Sequence, residues 1–209
     1  ISIDRLQDAS MGYYISPILF IALASFFLKE KLSKFKILSI LLILLSLIYL
    51  LISMKTIPYL AVLIAFTWSF YGLIRKKINV SSEIGLFVES GFISIFAFIY
   101  LSFIYISSNS YFLGKDHTIS IFLILTGPIT VFPLFFFNLG VKNIQLGLAG
   151  IIFYLAPTFH FITSIFIFGE SFNYNKLISF IIIWFAVGIF IYDNLKEKKI
   201  NENNTQLLN

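Results

Sequence analysis

Few side chains in this sequence could do chemistry, and most of them stand alone. Glu89 is the foremost, because no other formal charge occurs between Ile84 and Gly114. An ionisable group in so apolar a stretch is costly, and it usually faces a cavity or a partner. It would serve as a proton-coupling or substrate-binding carboxylate, or it would snorkel or pair with Arg75, Lys76 or Lys77; the two readings stand level. His160 follows Pro157 by three residues and could exchange protons near neutral pH. A hydrogen bond to a carbonyl freed by Pro157, or to a neighbouring helix, is the favoured reading. Tyr14 and Tyr154 each stand three residues before a proline, Pro17 and Pro157. Proline removes a helix hydrogen bond, so each hydroxyl could serve the backbone or a solute; lining a cavity and filling a core are both open. Asn138 shares a stretch with Pro128 and Pro133. It would supply an interhelical hydrogen bond worth about 1 kcal/mol or bind a polar ligand. Pro17, Pro128, Pro133 and Pro157 are the expected helix kinks.

Several reaction classes are excluded. With no cysteine and two histidines, His117 and His160, the chain offers no metal-ligand spacing and no thiolate. No cofactor is expected. There is no glycine-rich phosphate loop, and no polar segment is long enough to house a nucleotide-binding domain. ATP-driven chemistry within the chain is therefore out. A nucleic-acid partner would need basic residues interleaved with stacking aromatics, whereas here the aromatics lie in apolar stretches and the basic residues lie between them.

Those isolated polar groups must be positioned by long apolar elements. Seven stretches carry almost no charge: Ala9–Leu28, Ile37–Met54, Thr56–Ile74, one around Ile84–Gly114, His117–Val141, Asn143–Gly169 and Leu177–Tyr192. About 20 apolar helical residues cross a hydrocarbon core of roughly 30 Å. Backbone groups in lipid must be satisfied within the segment, which selects helices. Composition agrees: 59% of residues are hydrophobic, 12% are charged, and the mean hydropathy is +0.94. The expected fold is an all-α polytopic membrane protein of seven transmembrane helices, with the lipid bilayer as its first partner.

Basic residues give the threading. One set of alternating turns holds Lys29, Lys31, Lys34, Lys36, Arg75, Lys76, Lys77, Lys142, Lys196, Lys198 and Lys199, eleven in all; the other holds only Arg5, Lys55, Lys115 and Lys176. The first set is expected in the cytoplasm, with the C-terminus inside and Ile1 outside. Residues 193–209, rich in Asn, Lys and Glu, are expected to be a disordered cytoplasmic tail.

An internal repeat ties the first two stretches to the last two. An offset of 140 residues places Ala9 on Ala149, Tyr14 on Tyr154, Pro17 on Pro157, Phe26 on Phe166, Glu30 on Glu170, Lys36 on Lys176, Ser39 on Ser179 and Ile43 on Ile183. Both copies set Tyr-x-x-Pro inside a span and Glu at the following turn, where helix capping is the default. Lys29–Lys36 is lysine-rich and Gly169–Lys176 is not. The copies should therefore cross in opposite senses, as in secondary transporters whose sites lie between inverted halves.

These motifs carry a family resemblance. Asp8–Pro17 (DASMGYYISP), Phe27–Leu32 (FLKEKL), Trp68–Lys77 (WSFYGLIRKK), Glu83–Ser90 (EIGLFVES), the Gly127-Pro128 step and Gly147–Thr158 (GLAGIIFYLAPT) occur in this order from residue 8 to about 193. In this the chain resembles the EamA-type permeases of the drug/metabolite transporter superfamily, and most closely their RarD branch. The resemblance implies ten helices in two inverted five-helix repeats, of which this chain would hold helices four to ten, as an N-terminally truncated form. Residues 1–54 would then be the last two helices of the first repeat and 55–192 the second repeat. The implied activity is secondary transport of an unknown small organic solute by alternating access in a bacterial inner membrane. The absent helices would leave a surface that a second copy could cover, giving a homodimer. The alternatives are a non-transporting scaffold or fragment, or an intramembrane lipid-modifying enzyme.

Overall fold

In the computed structural model, which describes residues 6–54, 59–106, 112, 117–167 and 174–207, every regular element is a helix. They are α1 (Leu6–Leu28), α2 (Lys34–Met54), α3 (Tyr59–Lys77), α4 (Ser82–Ile106), α5 (His117–Asn143), α6 (Leu146–Ile152), α7 (Leu155–Phe166) and α8 (Tyr174–Leu207). Among the described residues, five segments are long and apolar enough to cross a membrane, namely Lys34–Ser53, Ser82–Ile106, His117–Asn143, Leu146–Thr163 and Leu177–Ile200. Tyr13–Leu28 is a shorter apolar helix, and α3 ends in Arg75, Lys76 and Lys77. The expected polytopic helical membrane protein is what the chain forms.

The kink expected at Pro157 is a full interruption of the helix, and one expectation needs correction. The sixth stretch is two helices, because Pro157 has no N–H to give the carbonyl of Phe153. That carbonyl accepts instead from the Ala156 N–H at 3.1 Å, and Phe153 and Tyr154 donate to Gly150 and Ile151 three residues back. Tightened turns of this kind end α6 and restart the chain as α7. The correction concerns the tail: α8 continues as helix to Leu207. Asp193 is buried and accepts a 2.5 Å hydrogen bond from the Ser33 hydroxyl, while Lys36 and Glu197 form an ion pair at 2.5 Å. Composition suggested disorder because it cannot show these partners 160 residues away. Asp193→Ala should loosen the last turns, and amide exchange of residues 194–207 should speed up by about tenfold, an opening of about 1.4 kcal/mol. Unchanged exchange would mean that this contact does not hold the extension.

The helices form two compact units, Ile1–Ile74 with Ile144–Asn209, and Arg75–Asn143. In the first, α2 packs against α8 and α1 against α6. The core includes Tyr14, Ile43, Leu47, Ile151, Tyr154, Phe180, Ile183 and Phe190. Lipid tails are as apolar as these side chains, so close packing and interhelical hydrogen bonds hold such helices together. The hydroxyl of Ser46 donates to the Ser179 carbonyl at 3.0 Å, and that of Ser69 to the Ser16 carbonyl at 3.2 Å. In the second unit α4 packs on α5, and most of their large apolar side chains are exposed.

Candidate functional site

The first unit is built around its repeat. Along α2 the partners Ser33, Lys36, Ser46 and Tyr49 meet Asp193, Glu197, Ser179 and Asn175 of α8, so the two helices run antiparallel. The 140-residue offset makes α2 and α8 equivalent elements, and exchanging the copies maps Ser46–Ser179 onto Ser39 and Ala186, both fully buried. Ile43 and Ile183, equivalent residues with no exposed surface, lie at the centre of that exchange in one core cluster.

The pairing of α1 with α6 follows the same rule. Tyr154 donates its hydroxyl to the backbone carbonyl of its own equivalent, Tyr14, at 3.1 Å. Both rings are buried, and Tyr14 also packs on Phe180 with ring centroids 5.7 Å apart. Pro17 and Pro157 are fully buried beside them. The two Tyr-x-x-Pro elements are thus brought together, and the Tyr154 hydroxyl serves the backbone. Pro17 in α1, and Pro128 and Pro133 in α5, lie inside helices that continue past them.

The N-terminus of α6 is capped from elsewhere in the chain. Lys29 adopts the left-handed conformation, with φ of 55°, after the end of α1. The chain then turns so that the Glu30 carboxylate accepts the N–H groups of Leu146 at 2.7 Å and Gly147 at 3.1 Å. Capping was the expected role at this position, and the helix capped is 116 residues away in sequence. A carboxylate also suits the positive end of a helix.

In the second unit Glu89 meets Arg75. Guanidinium and carboxylate are 3.3 Å apart, with side-chain exposures of 2% and 38%. Arg75 also donates to the Ser82 carbonyl at 3.1 Å. The guanidinium lies where a side chain at Gly85 would be, since a Cβ there would stand 1.8 Å from it. Of the two readings of Glu89, the ion pair is formed, yet its side chain is still 38% exposed. Sequence reasoning placed Arg75 among the basic turn residues and named it as one candidate partner of Glu89, but missed its burial. The available signal was Gly85, one turn before Glu89 on the same helix face, which leaves room for a large partner. A buried guanidinium cannot shed its proton and so requires an anion nearby.

Asn138 is fully buried in α5, also in this unit. The His160 side chain lies outside the described residues, as does Glu170, and the α7 backbone passes through His160. Among the described residues no group of His, Asp or Glu could hold a metal ion.

Comparison with known proteins gives this architecture its relatives. Residues 56–192 match the model of the EamA-like transporter family. The chain is 33% identical over 196 residues to an uncharacterized transporter of Vibrio cholerae, covering 94% of this chain and 65% of that protein. It is 32% identical over 189 residues to the protein RarD of Escherichia coli, covering 90% and 64% respectively. With the uncharacterized transporter YojE of Bacillus subtilis it shares 33% identity over 199 residues, 95% of this chain and 66% of that one. The chain thus spans about two-thirds of the length of these relatives.

Proposed function

The chain belongs to the EamA-like transporter family, in its RarD-type branch, and from that premise we propose that it is a permease for a small organic solute. It works as a secondary carrier by alternating access in a bacterial inner membrane, with its C-terminus in the cytoplasm, and not as an enzyme. The observation that carries this reading is the antiparallel pairing of equivalent elements, α2 with α8 and α1 with α6. Two copies related by a two-fold axis across the helices can exchange conformations, so a site between them opens first to one side and then to the other.

Glu89 is the group we assign to solute or proton exchange. Its carboxylate is partly exposed while its counter-ion is fixed by Ser82 and by the space above Gly85. A solute or a proton can therefore compete for the carboxylate without dismantling the arginine's site.

The chain lacks cysteine, so single-cysteine variants report sidedness directly. In intact cells, Lys199→Cys should resist a membrane-impermeant maleimide and react fully once the membrane is opened. Flux is tested with the full chain in vesicles, offering amino acids and small organic acids with and without an imposed proton gradient. Labelling of Lys199→Cys from outside would overturn the orientation. Flux no greater than in empty vesicles, for every solute, would overturn the permease.

A further inference from the structure

An apolar groove of about 410 Å³ runs along the outside of α2 and α8, lined by Phe35, Leu38, Trp184, Gly188, Ile189 and Tyr192, with Phe185 at its edge. From Trp184 to Tyr192 it extends about 12 Å along α8. Its floor is open because Gly188 has no side chain, and a Cβ there would meet nothing within 4 Å. Its wall is fixed, since the Trp184 indole N–H donates to the Thr158 hydroxyl at 3.0 Å.

Three lysines lie beyond one end of the groove by helical spacing. Lys34 opens α2 immediately before Phe35, and Lys196 follows Tyr192 by one turn of α8, continuing the row Trp184, Gly188, Tyr192 on one helix face. Lys199 lies on the same side, seven residues past Tyr192. All three lysines are exposed and make no ion pair among the described residues. Among the described side chains, the nearby carboxylates are engaged elsewhere: Glu30 caps α6, Asp193 holds Ser33, and Glu197 holds Lys36. Among the described side chains the anions are thus used inside the fold, and these three cations are left exposed.

We propose that this groove is a binding site for one anionic phospholipid of the surrounding membrane. An acyl chain lies over Gly188 between Trp184, Phe35 and Tyr192, and the phosphate sits among Lys34, Lys196 and Lys199. A long apolar trough ending in lysines at the edge of a membrane span matches that ligand and no soluble anion. Lysines at such a depth each favour anionic headgroups.

The test is native mass spectrometry of the full chain in detergent, titrated with dioleoyl phosphatidylglycerol or dioleoyl phosphatidylcholine, which share acyl chains. One phosphatidylglycerol should bind in preference to phosphatidylcholine. Lys196→Gln with Lys199→Gln should weaken it by about tenfold or more. Gly188→Leu, which fills the floor and leaves every charge, should lower the binding of both lipids. The two lysines are exposed and make no ion pair among the described residues, so that variant stays folded and decides the matter alone if Gly188→Leu does not fold. Equal binding of the two lipids, or undiminished phosphatidylglycerol binding to the lysine variant, would overturn the site. So would displacement by millimolar inorganic phosphate, or a change from dimer to monomer in Gly188→Leu, which would make a second copy the occupant.

Discussion

Vesicles carrying the Glu89→Gln chain should move solute at about one-tenth of the parent rate or less, a loss of about 1.4 kcal/mol or more in the rate-limiting step. The same chain should remain folded. Arg75 keeps its bond to the Ser82 carbonyl and its place over Gly85, and glutamine still offers an oxygen to the guanidinium. What is lost is the charge and the capacity to bind a proton. Were the side chain fully buried, removing one member of the pair would cost about 3–5 kcal/mol of stability. The Glu89 side chain is 38% exposed and glutamine keeps a polar oxygen beside the guanidinium, so the stability cost is the smaller effect. Flux and thermal stability should therefore separate, with a large change in the first and a small one in the second. Glu89→Asp, which retains the charge on a shorter stem, should recover part of the flux. If Glu89→Gln transports within twofold of the parent, the carboxylate is an anchor for Arg75 and nothing more. Solute exchange and simple ion pairing, the two readings that sequence leaves level, are resolved by that comparison.

Much of this architecture was legible because apolar length and charge placement are local properties. The described parts of the seven apolar stretches are helical in the main, and a 140-residue offset read from Tyr14, Pro17, Glu30 and Ile43 pointed to elements that pack on one another. Other features depend on partners distant in the chain. Arg75 reads as one more basic turn residue until Glu89, Ser82 and the space over Gly85 surround it. Asp193 and Glu197 read as solvated until Ser33 and Lys36 meet them. The break between α6 and α7 lay half in view. Pro157 signals a lost hydrogen bond at Phe153, but Pro17 makes the same offer at the equivalent place and α1 continues through it. A proline therefore marks where a helix can break, and the packing around it determines whether it does. Here the α6 side of the break is held by Glu30.

The contact between α1 and α6 is the one we expect to be least tolerant of change. Gly150 faces Phe20 and the backbone of Pro17, and a Cβ there would lie 2.6 Å from the Phe20 Cβ and 3.0 Å from the Pro17 carbonyl oxygen. Neither is the free end of a flexible side chain, so the helices themselves must separate to admit even a methyl group. Small residues let helix backbones approach closely where no hydrophobic force drives association, and a bulky residue forfeits that packing. Separation would stretch the 3.1 Å bond from the Tyr154 hydroxyl to the Tyr14 carbonyl and draw the α6 N–H groups from Glu30. A buried polar group left without its partner costs about 1–3 kcal/mol, and overpacking alone adds about 1–3 kcal/mol. Gly150→Leu should thus lose several kcal/mol, enough to leave little folded protein in the membrane at equal expression. Gly188→Leu, equally a glycine within a helix of this unit but with nothing within 4 Å of its Cβ, should accumulate like the parent. Folded yield by fluorescence-detected size exclusion distinguishes the two. Equal yields would mean that α1 and α6 do not approach this closely in the membrane, and the inverted pairing of the Tyr-x-x-Pro elements would fall with that contact.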